Sequence, residues 1–458
     1  MSPFKVCIVG AGAGGLSMAR ALARHGIDYD QFERHTDVGG VWDQANAGSA
    51  MYDSAHMISS KTMSAFMGFP MPAHYPDYPG HRQIHAYLRS FADAYGLRER
   101  ISFGRKVVSA VREGPKGWTV TLDDGSTRRY DALVAATGLA WEPRLPDYPG
   151  EFTGEFIHSS KYRSPEVFRG KRVLVIGAGN SGADISGELS RVASKAYLSM
   201  RRAYHFIPKH IFGMPADVFA VTGSILPMRI QQIALALVLR LLNGDVSRHG
   251  LQRPDHLPLT SHPIVNTIAM HAMAHGDLTP KVDVDRFEGR TVWFKDGSSI
   301  DVDAIIAATG YVHKISFIDD GLLANSGQES NLFLRSISRV DTTFAAIGFI
   351  EINGGVYPFY DQFADIIAAH YSDLATGSDR ARSFETMVKS GRHDVAGAVT
   401  YVDSPRHKVY ANVLAAMRVI RKIRREMGWK KLKAEDLAPA GVVLPKSPKA
   451  LRAASETA

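Results

Sequence analysis

The sequence predicts an α/β chain in which one architecture, a strand, a glycine turn and a helix, occurs twice. Two observations carry this expectation. Residues 6–17 read VCIVGAGAGGLS and residues 173–184 read VLVIGAGNSGAD, nearly the same words. Each is followed by a second shared landmark, DALVAATGL from Asp131 and DAIIAATGY from Asp303. Gly10 to Thr137 spans 127 positions and Gly177 to Thr309 spans 132. Paired landmarks at matched separation mark a repeat at domain scale, and 458 residues exceed one ordinary core.

The first unit opens with Val6–Val9, an apolar run suited to a buried parallel strand. Gly10, Gly12 and Gly15 then form G-x-G-x-x-G, which permits a tight turn, backbone approach to a pyrophosphate and close helix–sheet packing. A helix through LSMARALARHG carries Leu16, Ala19, Leu22 and Ala23 at helical spacing and ends at Gly26. Its N-terminus offers free N–H groups and a positive dipole end to phosphates. The next strand, residues 28–32, delivers Glu33 18 positions after the last glycine, where a carboxylate accepts hydrogen bonds from a ribose 2′-hydroxyl.

The second unit repeats the turn with Gly177, Gly179 and Gly182 between a strand at 172–176 and a helix through ADISGELSRVA, with Asn180 and Ser181 at its start. Its next strand, 196–199, runs into Arg201 and Arg202, the former 19 positions after Gly182. An acid there would repel a 2′-phosphate, whereas guanidinium groups bind one through charge-assisted hydrogen bonds. The first site therefore suits FAD or NAD and the second NADP. Two dinucleotides on one chain imply hydride traffic from NADPH to a flavin.

Composition narrows the classes further. Hydrophobic content of 45% and charged content of 22% belong to globular proteins. The net charge of +8 includes the run RVIRKIRREMGWKKLK, read as a solvated helix face plus tail. With no basic–aromatic interleaving and no zinc spacing, neither a nucleic-acid partner nor a metal site is expected. A lone cysteine, Cys7, excludes an intramolecular disulfide and the cysteine pair of a disulfide reductase, and permits a reducing compartment. The N-terminus runs straight into a strand, so no leader is expected and the reading is cytoplasmic. The most apolar stretch, Ile230–Leu242, is too short and interrupted to span a bilayer; a buried helix, a lid over a substrate channel or an interfacial patch all fit, and the first two are favoured.

Phe152, Gly154, His158 and Tyr162 in FTGEFIHSSKYRSP match F-x-G-x-x-x-H-x-x-x-Y just ahead of the second glycine turn. With FERHTDVGGVW, GAGNSGAD, SMRR and AATGY, the chain resembles the flavin-containing monooxygenases of the class B flavoprotein group over roughly residues 4–370. The related Baeyer–Villiger enzymes usually carry Trp where Tyr162 stands, which tilts the reading toward heteroatom oxygenation.

The resemblance implies two Rossmann-like dinucleotide-binding domains, the NADP domain inserted into the FAD domain. The expected bounds are 1–165 and 306–440 for FAD, 166–305 for NADP, and a tail at 441–458. It implies FAD contacts from Gly10, Gly12, Gly15, Glu33, Gly40, Trp42, Val107, Thr137 and Gly138. NADP contacts are implied from Gly177, Gly179, Asn180, Ser181, Gly182, Arg201, Arg202, Thr309, Gly310 and Tyr311. The implied reaction passes hydride from NADPH to flavin, forms a C4a-hydroperoxide with O2, and oxygenates an amine nitrogen or sulfide of a small apolar substrate. Baeyer–Villiger oxygenation, a weakly coupled NADPH oxidase and a cofactor-sensing binding protein are the alternatives. His158 is expected to couple cofactor positions. Ile58 occupies the place where the family has an Asn, so Ser59 is the candidate polar substitute and Lys61 a candidate phosphate or flavin contact. Molecular oxygen and the substrate are the expected partners; a homodimer and peripheral membrane contact stay open.

Overall fold

The computed structural model describes residues 4–444 except 115–116, 223–226, 323–330, 392, 398, 405–406 and 408–409. Most of the expected 441–458 tail thus lies outside the described residues. The chain divides into two compact units, one formed by Met1–Ser49, Ser59–Leu139 and His313–Ala458, the other by Ala50–Ile58 and Ala140–Val312. Nearly all of the second is one insertion between two stretches of the first.

The first unit is built on a seven-stranded sheet with spatial order 332–333, 337–338, 344–346, 132–135, 5–9, 28–33 and 101–103. Lys5–Val9 lies at its centre, parallel to Asp28–Glu33 and to Ala132–Ala135. All four residues of Ala132–Ala135 and four of five in Lys5–Val9 are buried, as a sheet covered on both faces requires. Helix Ala13–Arg24 packs along Tyr357–Thr376.

The second unit repeats this plan. Its five-stranded sheet runs 155–158, 304–307, 172–176, 195–199, 278–281, with every neighbouring pair parallel. In both units the glycine-turn strand lies between the strand that follows it and the strand that precedes AATG. Both also carry a small antiparallel sheet between those landmarks, formed by residues 107–130 in the first unit and by strands at 284–301 in the second.

Two boundaries differ from expectation. The units meet at 139/140 and 312/313 rather than at 165/166 and 305/306. The reason is strand pairing: Glu142–Pro143 pairs with Tyr311–Val312, Gly150–Phe152 joins Val284–Gly289, and Glu155–His158 edges the second sheet. The nine residues Ala50–Ile58 also belong to the second unit, where Tyr52 and Ala55 enter its core.

The apolar stretch is a helix, Met228–Asn243, ended by Gly244 at φ +67°. It is not a buried one: only Gln232 and Leu239 along it are buried. The basic run lies on Val413–Glu426, whose Arg418, Arg421, Lys422 and Arg425 face solvent. Arg424, within the same run, is instead buried and donates to Asp365 at 2.6 Å.

Candidate functional site

In the first unit Gly10 adopts φ +109°, and a Cβ there would lie 2.5 Å from the Ala136 carbonyl oxygen. A Cβ on Gly15 would meet the Gly10 carbonyl at 2.0 Å. Both glycines are therefore demanded by the turn itself. Gly12 differs: its nearest neighbour is the Gly40 backbone, 3.6 Å from where a Cβ would stand. Gly39 and Gly40, at φ +123° and +58°, bring that second loop onto the turn, and the Gly39 N–H donates to the Ala11 carbonyl at 3.1 Å. Trp42 is half-buried at the end of the single helical turn Gly40–Trp42.

Glu33 ends its strand with its carboxylate turned to the glycine loop, accepting from the Ala11 N–H at 2.7 Å and the His35 N–H at 2.9 Å. Each oxygen keeps a lone pair for a sugar hydroxyl. Gln31, fully buried inside the strand, donates to the Gly10 carbonyl at 2.8 Å and fixes the turn from behind. Val107 buries its side chain in the core of this unit, so only its backbone is left for a ligand.

The second turn reproduces the first. Gly177 has φ +102°, and its Cβ would stand 2.5 Å from the Ala308 carbonyl oxygen; that of Gly182 would stand 1.8 Å from the Gly177 carbonyl. This explains why AATG recurs: Ala136 in one copy and Ala308 in the other lay a carbonyl over the first glycine. Gly179 has nothing within 4 Å of its would-be Cβ, at the N-terminal cap of helix Asn180–Leu189. That open space at a helix N-terminus is where a phosphate fits. Ser181 is exposed there.

Asn180 is otherwise committed. Its side-chain oxygen accepts from the Val265 N–H at 2.9 Å and its amide donates to the Pro263 carbonyl at 3.1 Å. Its side chain thus ties the start of the helix to residues 263–265, and its backbone stands at the helix N-terminus where the dinucleotide is expected. Arg201 is exposed past the end of strand Lys195–Ser199. Arg202 is half-buried over the Tyr204 ring, and its buried Nε has no hydrogen-bond partner among the described residues. An unsatisfied buried guanidinium donor calls for an anion.

The four signature residues all serve the second unit. Phe152 packs on Phe287 with ring centroids 6.0 Å apart, and a Cβ on Gly154 would strike the Asp303 carbonyl at 2.7 Å. His158 Nδ1 accepts from the Ser160 N–H at 3.1 Å, which leaves Nε2–H to donate to the Gly310 carbonyl at 3.1 Å. Burial lowers its pKa, so the ring is neutral. Gly310 also accepts from the Arg144 N–H at 2.9 Å, and Thr309 Oγ1 donates to the Arg144 carbonyl. Tyr311 lies edge-on to the His158 ring at 5.3 Å, its phenol pushed up to about 12 by burial. His158 thus clamps the linker strands at the end of the AATG segment. Both ring nitrogens are engaged within the second unit.

The profile of the flavin-binding monooxygenase-like family matches residues 4–426. The chain belongs to that family. The match reaches well past the roughly 370 residues over which the sequence motifs were recognisable. Flavin-containing monooxygenase 5 of Cavia porcellus is 30% identical over 448 residues, 92% of this chain and 82% of its own. Flavin-containing monooxygenase 3 of Homo sapiens is 33% identical over 383 residues, 78% of this chain and 71% of its own. A cyclohexanone-bound crystal structure of cyclohexanone monooxygenase superposes with a TM-score of 0.71 at 17% identity, covering 93% of this chain and 98% of that one; that likeness is one of fold.

As a member of the family the chain is an FAD- and NADPH-dependent monooxygenase, and both cradles fit their cofactors. The Gly12–Gly40 approach and the Glu33 carboxylate suit FAD, while the space beside Gly179 and the arginines suit a phosphorylated nicotinamide dinucleotide. When bound, the pair supplies hydride transfer and oxygen activation, chemistry that no side chain here offers. The protein's own work is to bind, orient and exclude water.

The residues expected nearest the reaction are engaged structurally. Ile58 is half-buried and ends the Ala50–Ile58 segment. Ser59 Oγ pairs with Ser64 Oγ at 2.7 Å, and the Ser60 side chain caps helix Lys61–Ser64. Lys61 donates its ammonium to the Ala73 carbonyl at 2.8 Å and to the Tyr75 carbonyl, which spends two of its three N–H donors on a loop. One N–H of Lys61 remains for a phosphate or flavin contact.

Sequence reasoning missed what holds Ala50–Ile58. Tyr52 donates to Asp184 at 3.0 Å, and Ser54 and the signature Tyr162 both donate to Glu188, Tyr162 at 2.8 Å. Asp184 and Glu188 lie one turn apart on the helix that begins at the second glycine turn. A hint was available: acids at i and i+4 on an otherwise apolar helix face need buried partners.

Proposed function

We propose that this monooxygenase oxygenates a nitrogen or sulfur atom of a small, largely apolar molecule. The observation that carries the reading is Tyr162, the residue of the heteroatom-oxygenating signature, with its hydroxyl on Glu188. It is supported by relatives named flavin-containing monooxygenases at 30% and 33% identity. The test is product analysis with NADPH, an aryl methyl sulfide and a cyclic ketone at equal concentration. The reading expects sulfoxide at least tenfold faster than lactone; predominant lactone would overturn it.

A second reading has its own observation. Ile58 offers no hydrogen bond, and the Ser59 hydroxyl and two of the three Lys61 N–H donors are already bonded elsewhere. We therefore infer incomplete coupling, in which a measurable share of the NADPH consumed appears as hydrogen peroxide. The lone, buried Cys7 suits a cytoplasmic setting. No helix of the described residues is long and apolar enough to cross a membrane.

A further inference from the structure

We propose that the exposed apolar face of helix Met228–Asn243 docks this protein on an anionic lipid surface. Ile230, Ile233, Leu237 and Leu241 follow one another at spacings of three and four residues, so they share one face. Their exposures are 48%, 48%, 60% and 84%. The opposite side is the packed one: Leu235, Val238 and Leu239 close on Ile207, Ile211 and Ala216. Phe212, 71% exposed at φ +49°, tips the hairpin that packs into the same cluster. Elsewhere among the described residues, exposed large apolar side chains are scattered. Four on one helix stripe form a patch that water alone does not explain.

Charge selects the occupant. Between Asp217 and Asp245 the sequence has no acidic residue, and Arg229 and Arg240 are exposed toward the two ends of the helix. An apolar stripe on a helix whose only charged residues are arginines suits the boundary of acyl chains and phosphate headgroups. In an isologous pair with a second copy, the same stretch would bring arginines together with no carboxylate on it to receive them. At 16 residues the helix is about 24 Å long, which suits lying in the interface rather than crossing it.

The test is co-sedimentation of the FAD-loaded protein with vesicles of phosphatidylglycerol or of phosphatidylcholine. The proposal expects at least tenfold tighter binding to phosphatidylglycerol. Leu237→Glu/Leu241→Glu should lose at least tenfold of it, with flavin content and turnover of a dissolved substrate unchanged. Arg418→Glu/Arg421→Glu, on the other exposed basic helix, should keep most of the binding. Three results would overturn the proposal: no vesicle binding by the wild type; binding that survives the leucine changes and vanishes with the arginine changes; or a wild-type dimer that the leucine changes disperse, without vesicle binding.

Discussion

Gly177 and Gly179 stand two residues apart and do different work. At Gly177 a methyl would be driven into a carbonyl at φ +102°; at Gly179, with φ −67°, it would meet nothing. Gly177→Ala should therefore cost stability, on the order of 2–4 kcal/mol from strain and overpacking. Gly179→Ala should melt within about 1 °C of wild type yet raise the NADPH KM roughly tenfold or more, because its methyl fills the space a phosphate needs. Thermal melts and steady-state kinetics on the two variants separate these roles. An unchanged KM in Gly179→Ala would mean that the open space is not the phosphate's. His158 belongs to this scale too: its two nitrogens are engaged by Ser160 and Gly310, in keeping with a residue that positions rather than one that transfers protons.

At the scale of elements, the helix after the first glycine turn is held by charge as well as by apolar contact. Arg20 and Asp361 pair with side-chain exposures of 5% and 2%. Asp361 also accepts from Ser17 and from the Met67 N–H, while Arg20 donates to Tyr95 and stacks on Phe91. Removing one partner of such a pair leaves the other charge buried, at a cost of about 3–5 kcal/mol. Asp361→Ala should lower the melting temperature by roughly 10 °C, with flavin lost at the same transition. A shift under about 2 °C would show that the arginine finds water instead.

This scale also separates what the sequence made legible from what it hid. The glycine turns, their strands and the AATG landmarks could be read because local backbone geometry dictates them. Ala50–Ile58 could not: its place in the second unit rests on Asp184 and Glu188, more than 120 residues away. Composition marked 230–242 as apolar but could not say which face meets protein, and the exposure of helix Met228–Asn243 goes against the buried-helix reading.

Across the whole molecule the two units share a plan and differ in the charge that closes each dinucleotide cradle. Glu33 closes the first; Arg201 and Arg202 stand at the equivalent place in the second. Everything proposed about electron supply depends on that contrast, for it assigns the flavin to one turn and the phosphorylated nicotinamide to the other. A charge-assisted hydrogen bond to a 2′-phosphate contributes about 1.5–3 kcal/mol. Each factor of ten in KM corresponds to about 1.4 kcal/mol. The most direct test is kcat/KM with NADPH and with NADH for the wild type and Arg201→Ala/Arg202→Ala. The account predicts a strong wild-type preference for NADPH that drops at least tenfold in the variant while NADH turnover barely changes. Equal losses with both nucleotides, or a wild type indifferent to the phosphate, would contradict it.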